Sequence, residues 1–298
     1  MKKRYKYSLT LLVLFVLGTW YGCHHIFPYA IIKPYKAINN IQAQDFNLKT
    51  SELNVITKDS LSLKGLFIQT PLPEKGIIIL VHGIGSCKEH QFPLAEKLSN
   101  QGYSSYVFDG RAHGKSEGEY CTFGFYEKQD ISSIVTLLKN NNPNTPIGIW
   151  GHSLGGAIAI QSLAIDKRIE FGIIESTFTD VNQVVFDYKK RILKGIGIRW
   201  LSNYILENAA KIAQFSPEKT KPINDVRNIS QPILFTHGDA DDRISIQYGK
   251  DLFNNCSSKT KNFITVPEAG HNTLHYIGGK KYFHKVFSFL QKNTTKEH

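Results

Sequence analysis

A serine stands between two glycines in the segment Gly151-His152-Ser153-Leu154-Gly155, where one apolar run ends and another begins. This spacing is typical of a sharp turn from a strand into a helix, because the residues two before and two after the apex must be small. The apex residue adopts a strained backbone that leaves its side chain exposed. Ser153 is therefore a candidate nucleophile at a helix N-terminus, where backbone N–H groups can stabilise negative charge.

A serine hydroxyl needs a base that removes its proton and a carboxylate that orients the base. Both residue types follow later in the chain, each just after a predicted strand. The acidic segment 239–242 follows "PILFTHG", and His271 follows "NFITVPEAG". This reasoning leaves open which aspartate of that segment pairs with His271. The order serine, acid, histidine predicts nucleophilic catalysis of acyl transfer.

An acyl-transfer site also needs hydrogen-bond donors for the oxyanion that forms in the transition state. The loop after "IIILVHG" supplies one candidate, the N–H of Ile84, because Gly83 permits a tight backbone. The N–H of Leu154 is the second candidate. No two histidines have metal-ligand spacing, and no glycine-rich loop fits a phosphate. We therefore expect neither a metal nor a cofactor.

Alternating strands and helices must position these residues. The apolar runs predict strands at 76–82, 103–109, 146–150, 171–175, 232–236 and 262–266. The amphipathic runs predict helices at 88–100, 123–140, 154–165, 246–255 and 280–292. This pattern predicts an α/β fold with a mostly parallel sheet covered by helices on both faces, which binds ligands beyond the carboxyl ends of its strands. Earlier in the chain, "ELNVIT" and "LSLKGLFIQT" alternate and predict a hairpin.

About fifty residues between Phe178 and Val226 interrupt the alternation of strands and helices. They have helical patterning with apolar and basic residues, and they contain no strong strand. We expect a short helical cap, at about 178–226, over the active end of the sheet. The alternative is that these are plain extra helices packed on the domain.

The first 35 residues predict a membrane anchor. Lys2, Lys3, Arg4 and Lys6 precede residues 7–32, which contain no charged Lys, Arg, Asp or Glu. No A-x-A pattern follows, which favours an uncleaved anchor over a secretory signal. The positive end should stay in the cytoplasm, so that a single-pass topology places the catalytic domain outside. In a bacterium this is the periplasmic side of the inner membrane.

The four cysteines leave two alternatives open. Gly22-Cys23 hints at a lipoprotein cleavage site, but the aromatic residues directly upstream fit such a site poorly, so we favour the anchor. In an exported domain Cys87 and Cys121 could pair as a disulfide, whereas free buried thiols are the alternative. No cysteine has metal-ligand spacing.

The formal net charge of +11 raises the question of a polyanionic partner. The lysines and arginines are spread along the chain apart from the N-terminal cluster, and no basic-aromatic motif of a nucleic-acid-binding fold is present. We therefore expect no nucleic-acid partner, and we expect weak attraction to anionic lipid.

Five segments together resemble the α/β-hydrolase superfamily. In the family's order they are "LVHGIGSCKEH", "VFDGRAHGKSEG", "GIWGHSLGGAIA", "ILFTHGDADDRIS" and "VPEAGHN". The resemblance covers about residues 53–290 and is to single-domain serine hydrolases of the esterase, monoglyceride lipase and bacterial membrane-anchored type. The expected organisation is an anchor at 1–35 and an α/β-hydrolase domain at 36–298 that contains the cap insertion.

The resemblance also implies which acid completes the site. In the family pattern H-G-x-x-D the acid follows the histidine by four residues, which selects Asp241, with Asp239 and Asp242 as rivals. The implied catalytic residues are therefore Ser153, Asp241 and His271.

The expected activity is that of a serine hydrolase that cleaves an ester, thioester or amide through an acyl-enzyme, with a carboxylic ester favoured. The anchor and the apolar cap suggest a small acyl or lipid-like substrate. The alternatives are an aminopeptidase-like serine peptidase of the same fold and a non-catalytic member that binds a ligand. Dehalogenases and epoxide hydrolases of this fold are disfavoured, because they need an acidic nucleophile at position 153.

Overall fold

The computed structural model describes residues 2–294 of the chain, with side chains from residue 7 onward. The side chains of the basic N-terminal cluster therefore lie outside the description. The strands are β1 (Lys49–Glu52), β2 (Val55–Ile56), β3 (Ser62–Leu63), β4 (Gly65–Gln69), β5 (Gly76–Val81), β6 (Tyr103–Phe108), β7 (Ile147–His152), β8 (Phe171–Glu175), β9 (Ile233–Gly238) and β10 (Lys261–Val266). The α-helices are α1 (Lys2–His25), α2 (Phe27–Ile32), α3 (Phe92–Ser99), α4 (Glu127–Asn141), α5 (Leu154–Ile165), α6 (Val181–Ile192), α7 (Arg199–Ala213), α8 (Pro222–Asp225), α9 (Ile246–Asn255) and α10 (Leu274–Thr294).

Eight strands form one sheet in the order β1-β4-β6-β5-β7-β8-β9-β10. β1 and β4 are antiparallel to their neighbours, whereas β5, β6, β7, β8, β9 and β10 are parallel to one another. β2 and β3 form a separate antiparallel pair. The predicted mostly parallel sheet is confirmed. The N-terminal hairpin is present and is extended by the pairing of β1 with β4.

The continuous apolar runs are strands buried on both faces. In β5, Ile77 and Ile79 pack in the cluster that contains α4, α5 and the cap helices, whereas Ile78 and Leu80 pack in the cluster that contains α3 and α10. Successive side chains of a strand point to opposite faces, so a strand covered on both sides must be apolar at every position. The six core strands begin and end within two residues of the predicted limits.

Three predicted helices differ from the observed ones at their ends. α4 begins at Glu127, four residues after the predicted 123, because Phe123 and Gly124 have left-handed backbone conformations. The segment predicted as one helix at 88–100 begins with a 3₁₀ turn, Lys88–Gln91, and α3 follows with Pro93 in its first turn. A proline is tolerated there because its missing N–H has no partner at a helix start. The C-terminal helix begins six residues before the predicted 280 and is kinked at Gly279, whose φ of 48° lies in the left-handed region.

The segment 178–226 is helical, with α6 and α7 as its main elements, joined by residues 193–198. Side chains from both helices pack in the same core cluster as side chains of α5. α1 and α2 lie against this cap. Among the described residues, the stretch Tyr7–Ile32 is long and apolar enough to cross a membrane by length and composition, and 11% of it is buried in the structure.

Candidate active site

Ser153 lies at the sharp turn between β7 and α5, and its backbone is in an unusual conformation, with φ 57° and ψ −118°. A Cβ atom on Gly151 would lie 2.1 Å from the Gly155 carbonyl oxygen, and a Cβ on Gly155 would lie 2.0 Å from the Val81 carbonyl oxygen. Both positions therefore exclude any side chain. The turn places Ser153 at the N-terminus of α5, but the residue is buried, with 6% of its surface exposed, and is not exposed as the sequence predicted. It lines the two cavities described below.

His271 connects the serine to a carboxylate. Its Nε2 lies 3.0 Å from the Ser153 Oγ, and its Nδ1 lies 2.8 Å from the Asp241 Oδ2. Asp241 is in the loop after β9, and His271 is in the loop after β10. The parallel register of the two strands brings these loops to the same edge of the sheet as the end of β7. Three residues that are far apart in the sequence are thereby linked by hydrogen bonds.

Asp241 is held ionised and in one orientation. Its Oδ1 accepts hydrogen bonds from the backbone N–H groups of Arg243 and Ile244, at 2.9 Å each. Burial alone would raise the pKa of the Asp241 carboxyl, but hydrogen bonds from His237 and His271 and the backbone hold it well below the usual range. A carboxylate of this kind stabilises a protonated imidazole beside it.

The two rival aspartates have other positions. The Asp239 Oδ1 accepts a hydrogen bond from the Glu268 N–H at 2.6 Å, which joins the loops after β9 and β10. Asp242 is exposed to solvent. Of the three aspartates that the sequence left open, Asp241 is the one that contacts His271.

The candidate oxyanion donors flank the serine. Ile84 lies in the loop after β5, and both Ile84 and Ser153 line the two cavities described below. Within the described part of the chain, the N–H groups of Ile84 and Leu154 donate to no protein acceptor. The loop before Ile84 is fixed by His82, whose Nδ1 donates to the Gly83 carbonyl at 2.8 Å while its Nε2 accepts from the Gly110 N–H.

His152 has a supporting position that the sequence did not predict. Its Nε2 donates to the backbone carbonyl of His271 at 2.8 Å. Burial and the neighbouring His271 lower the pKa of His152 to about 4, so its ring is neutral near pH 7. The signal in the sequence was only a histidine next to the serine, which does not reveal a contact 119 residues away along the chain.

Glu175 is a buried acidic residue that contacts the backbone of Ser153. Its backbone carbonyl accepts the Ser153 N–H at 2.9 Å, and its carboxylate accepts hydrogen bonds from the Tyr282 hydroxyl and from the His275 Nε2, the latter at 2.9 Å. Burial would raise the pKa of Glu175, but the charge of His275 and these hydrogen bonds lower it. Its place at the end of a buried strand was the available sequence signal.

Two cavities meet at Ser153. The first, the apolar cavity, has a volume of 490 Å³ and lies under α2, α6 and α7, with almost entirely apolar side chains around it. The second, the polar cavity, has a volume of 470 Å³ and is lined by histidines, Arg243, Asn272 and Glu175 among others. They share Ile84, Ser153 and Tyr188. The arrangement can hold an apolar group and a polar group on opposite sides of the hydroxyl.

The cysteines form neither a disulfide nor part of the candidate site. All four cysteines are free and buried, so Cys87 and Cys121 are not joined. Cys23 is buried against the cap, where its carbonyl accepts a hydrogen bond from the Asn208 side chain. Among residues 2–294, no group of three His, Cys, Asp or Glu side chains lies close enough to hold a metal ion.

Comparisons with known proteins identify the family and relatives of this chain. Residues 73–221 match the model of the family described as serine aminopeptidase, S33. Protein bem46 of Schizosaccharomyces pombe is 26% identical over 291 residues, which span 94% of this chain and 90% of that protein. Lysophosphatidylserine lipase ABHD12 of Danio rerio is 28% identical over 189 residues, which span 59% of this chain and 46% of that protein.

A solved structure is similar over most of the chain. The structure of the Pyrococcus furiosus esterase Pf2001 superposes with a TM-score of 0.76 and 24% identity, covering 89% of this chain and 98% of that one. At this identity the likeness concerns the fold: a mostly parallel eight-stranded sheet with helices on both faces.

Proposed function

Because the chain belongs to the α/β-hydrolase family described as serine aminopeptidase, S33, we propose that it is a serine hydrolase that cleaves an ester through an acyl-enzyme on Ser153. One observation carries the proposal: the hydrogen-bonded chain from the Ser153 Oγ through His271 to Asp241. A serine at such a turn, with a base in contact and an acid behind the base, is the arrangement that nucleophilic acyl transfer requires.

In the acylation step the Ser153 Oγ attacks the ester carbonyl carbon while the His271 Nε2 takes the hydroxyl proton. The carbonyl oxygen becomes an oxyanion, which the N–H groups of Ile84 and Leu154 stabilise. Asp241 stabilises the imidazolium that forms and does not itself become protonated. His271 then gives the proton to the leaving alkoxide, so that the alcohol departs and the acyl group stays on Ser153.

In the deacylation step a water molecule takes the place of the alcohol. His271 removes a proton from that water as it attacks the acyl carbon, and the same N–H groups stabilise the second oxyanion. Collapse of the intermediate breaks the bond to the Ser153 Oγ, which regains the proton from His271. The products are a carboxylic acid and the free enzyme.

An ester is favoured over the amide of a peptide substrate by the groups around the two cavities. An aminopeptidase needs a carboxylate that binds the α-ammonium group of its substrate. Among the residues that line either cavity, Glu175 is the single acidic side chain. Both of its oxygens already accept hydrogen bonds from His275, and one accepts from Tyr282. The apolar cavity instead suits an acyl chain.

We also propose the organisation expected from the sequence. Residues 1–35 form a single-pass anchor, and residues 36–298 form the hydrolase domain with the cap at about 178–226. The apolar stretch Tyr7–Ile32 supports the anchor. The basic residues before it favour a cytoplasmic N-terminus and a hydrolase domain on the other side of the membrane. The buried Cys23 makes a lipid-modified N-terminus at that residue less favoured.

The proposal is tested by labelling the full-length protein with a fluorophosphonate and by following hydrolysis of p-nitrophenyl butyrate. We expect Ser153→Ala to abolish labelling and to lower kcat by at least about 10⁴-fold. Ser257→Ala is the matched control, because Ser257 is exposed, and it should leave both readouts unchanged. Labelling that persists in Ser153→Ala, or a wild-type protein that neither labels nor hydrolyses any ester, would contradict the proposal.

A further inference from the structure

The C-terminal end of the apolar stretch Tyr7–Ile32 is part of the wall of the apolar cavity. α2 continues directly from α1 after one residue, Ile26. Phe27, Ala30 and Ile31 of α2 line the cavity whose inner end is Ser153. The opposite wall comes from α6, α7 and the residues between them. Without α2 the cavity would lack one side.

α2 is fixed to the hydrolase domain at both ends. Before it, the Cys23 carbonyl accepts a hydrogen bond from Asn208 at 3.2 Å. After it, the Ile32 carbonyl accepts one from the Cys121 N–H at 2.8 Å, and Lys33 pairs with Glu119 at 2.7 Å. α1 is therefore connected to the rest of the chain by a helix that is itself hydrogen-bonded to that part.

The outer end of the cavity is formed by an exposed stretch that we call the lip, residues 190–200. The lip is apolar and basic: Ile196 is 69% exposed and Trp200 is 71% exposed, and Lys190, Lys194 and Arg199 are interspersed and also exposed. Such a composition, with aromatic and aliphatic side chains beside cations, fits a membrane interface with anionic lipid.

The lip lies near the end of the span. The Tyr204 hydroxyl, on the first turns of α7, donates to His24 near the end of α1, at 2.9 Å. Ile192, Ile196 and Ile198 of the lip line the same cavity as Phe27. The cavity mouth is therefore next to the point where a membrane-spanning α1 would leave the bilayer.

We propose that α2 is a specificity-determining wall of the active site and that the cavity opens at the lip to the bilayer, so that the acyl chain of a single-chain ester enters from the membrane. This inference rests on the proposed function for its chemistry. The chain lies in the apolar cavity with its carbonyl at Ser153, and the alcohol part lies in the polar cavity. A volume of 490 Å³ is in the range of small-ligand sites, which fits one chain.

The first test does not depend on catalysis. Full-length Ser153→Ala is reconstituted in phosphatidylcholine vesicles with a dodecanoyl ester of glycerol that carries a diazirine at its chain end. After irradiation we expect cross-links within residues 27–31 and 184–205. Ala30→Trp, added to Ser153→Ala, should remove them by filling the cavity. Ile38→Trp places the same side chain shortly after α2 at an exposed site outside the cavity, and it should leave them.

Cross-links confined to the outside of α1, or unchanged in Ala30→Trp, would overturn the inference whether or not the protein hydrolyses esters. In contrast, a protein that cross-links as expected but cleaves no ester would overturn the proposed function alone. The two failures are thus distinguishable.

The second test measures chain-length preference. In the wild type, kcat/KM for p-nitrophenyl esters should rise roughly fourfold per added methylene until the cavity is full. Ala30→Trp should lower the ratio of the dodecanoate rate to the acetate rate at least tenfold, since the short acyl group of the acetate does not reach α2. Equal losses on both esters would indicate a general structural defect and would contradict a chain-selective wall.

The third test concerns entry from the membrane. Trp200→Glu should lower hydrolysis of a dodecanoate ester held in vesicles at least fivefold relative to hydrolysis of soluble acetate. Tyr276→Glu is the matched control, because Tyr276 is 85% exposed and lies on α10, away from the cavity. Equal rates for Trp200→Glu and wild type on the vesicle-held ester would mean that the chain does not enter at the lip.

Discussion

At the scale of the residue, the geometry of the candidate site depends on buried polar atoms that form hydrogen bonds. Asp241 illustrates this, because its two oxygens accept from two backbone N–H groups and from His271. A carboxylate so held fixes the tautomer of His271, with the proton on Nδ1 and Nε2 left to accept from Ser153. The hydrogen-bond pattern therefore favours the reactive form of the base.

Asp241→Asn should lower kcat by about 10³- to 10⁴-fold with a small change in KM. The amide cannot stabilise the imidazolium, and its NH₂ group favours the tautomer with the proton on Nε2. Steady-state kinetics on p-nitrophenyl butyrate would measure this. Asp242→Asn, at the exposed neighbour, is the control and should keep full activity. If Asp242→Asn were the damaging change, the role given to Asp241 would be wrong.

Lys189 is a residue whose buried atom lacks a partner. Its Nζ is buried at the edge of the apolar cavity without a hydrogen-bond acceptor among the described residues, and burial lowers its pKa to about 8. Lys189→Met should raise the free energy of unfolding on the order of 1 kcal/mol below pH 8, because a thioether avoids the desolvation of the ammonium group. Chemical denaturation in detergent would measure it, and a loss of stability at pH 7 would argue against this account.

At the scale of the element, the turn between β7 and α5 and the contact between β8 and α10 keep the serine in place. The turn depends on glycines because the helix start passes against the backbone of β5 and of its own strand. The contact depends on Glu175 at the end of β8, which binds His275 and Tyr282 of α10. The turn is therefore fixed by steric contacts, and the contact between β8 and α10 is fixed by electrostatic interactions.

Gly155→Ala should prevent the turn from forming its observed geometry. The added Cβ would lie 2.0 Å from the Val81 carbonyl oxygen, which belongs to a central strand and cannot move away cheaply. We expect a loss of more than about 2 kcal/mol in unfolding free energy and loss of fluorophosphonate labelling. Gly110→Ala is the control, because its Cβ would meet nothing closer than 3.7 Å. Normal stability and labelling in Gly155→Ala would contradict the steric explanation.

The Glu175–His275 contact predicts a pH dependence of stability. The pKa of Glu175 is lowered in the fold, so its contribution is present above its ordinary value of 4.5 and is lost as the pH falls through the lowered value. Burial lowers the pKa of His275, but the charge of Glu175 and its hydrogen bond together raise the pKa above its ordinary value. Its contribution is therefore complete below 6.5 and is lost as the pH rises through the raised value.

The difference in unfolding free energy between wild type and His275→Gln should thus be largest between about pH 4.5 and 6.5. We expect on the order of 1 kcal/mol there, because the His275 side chain is partly exposed and solvent screens the pair. Denaturant titrations at several pH values would measure the difference. A difference that stays constant from pH 4 to pH 9 would show that the ion pair contributes nothing.

At the scale of the whole molecule, α2 and the segment 178–226 line much of the apolar cavity at the candidate site. The candidate site lies at one edge of the sheet, and α2, α6 and α7 contribute side chains to the apolar cavity at that site. If α1 spans a membrane, the active site lies close to the membrane surface. This makes the orientation of the domain testable.

We predict that the protein stays in the membrane fraction after a carbonate wash and that the hydrolase domain lies on the side opposite the N-terminus. An alkaline phosphatase fused after residue 298 should be active in bacterial cells, because that enzyme folds only outside the cytoplasm. Reversing the signs at Lys2, Lys3, Arg4 and Lys6 should lower the phosphatase activity, since those charges set the orientation. An inactive fusion with the native N-terminus would contradict the topology.

Much of the fold was predictable because its signals are local. A strand covered on both faces is apolar at successive positions, so β5, β7 and β8 could be located within two residues from the sequence. The glycines on either side of Ser153 likewise reflect a local steric need, so the turn was predictable. The starts of α3, α4 and α10 were predicted less well, because local backbone conformation sets them: the 3₁₀ turn before α3, the left-handed Phe123 and Gly124 before α4, and the kink at Gly279 within α10.

The sequence by itself therefore determined the α/β class, the order of the elements, the turn at Ser153 and the candidate positions of the acid and the histidine. The tertiary structure alone decided that His271 contacts Asp241, that His152 and Glu175 support the site, and that α2 completes the apolar cavity. The physical reason is distance along the chain. Propensity and periodicity act over a few residues, whereas these contacts join segments from 30 to more than 120 residues apart, and only the packing of the whole chain brings them together.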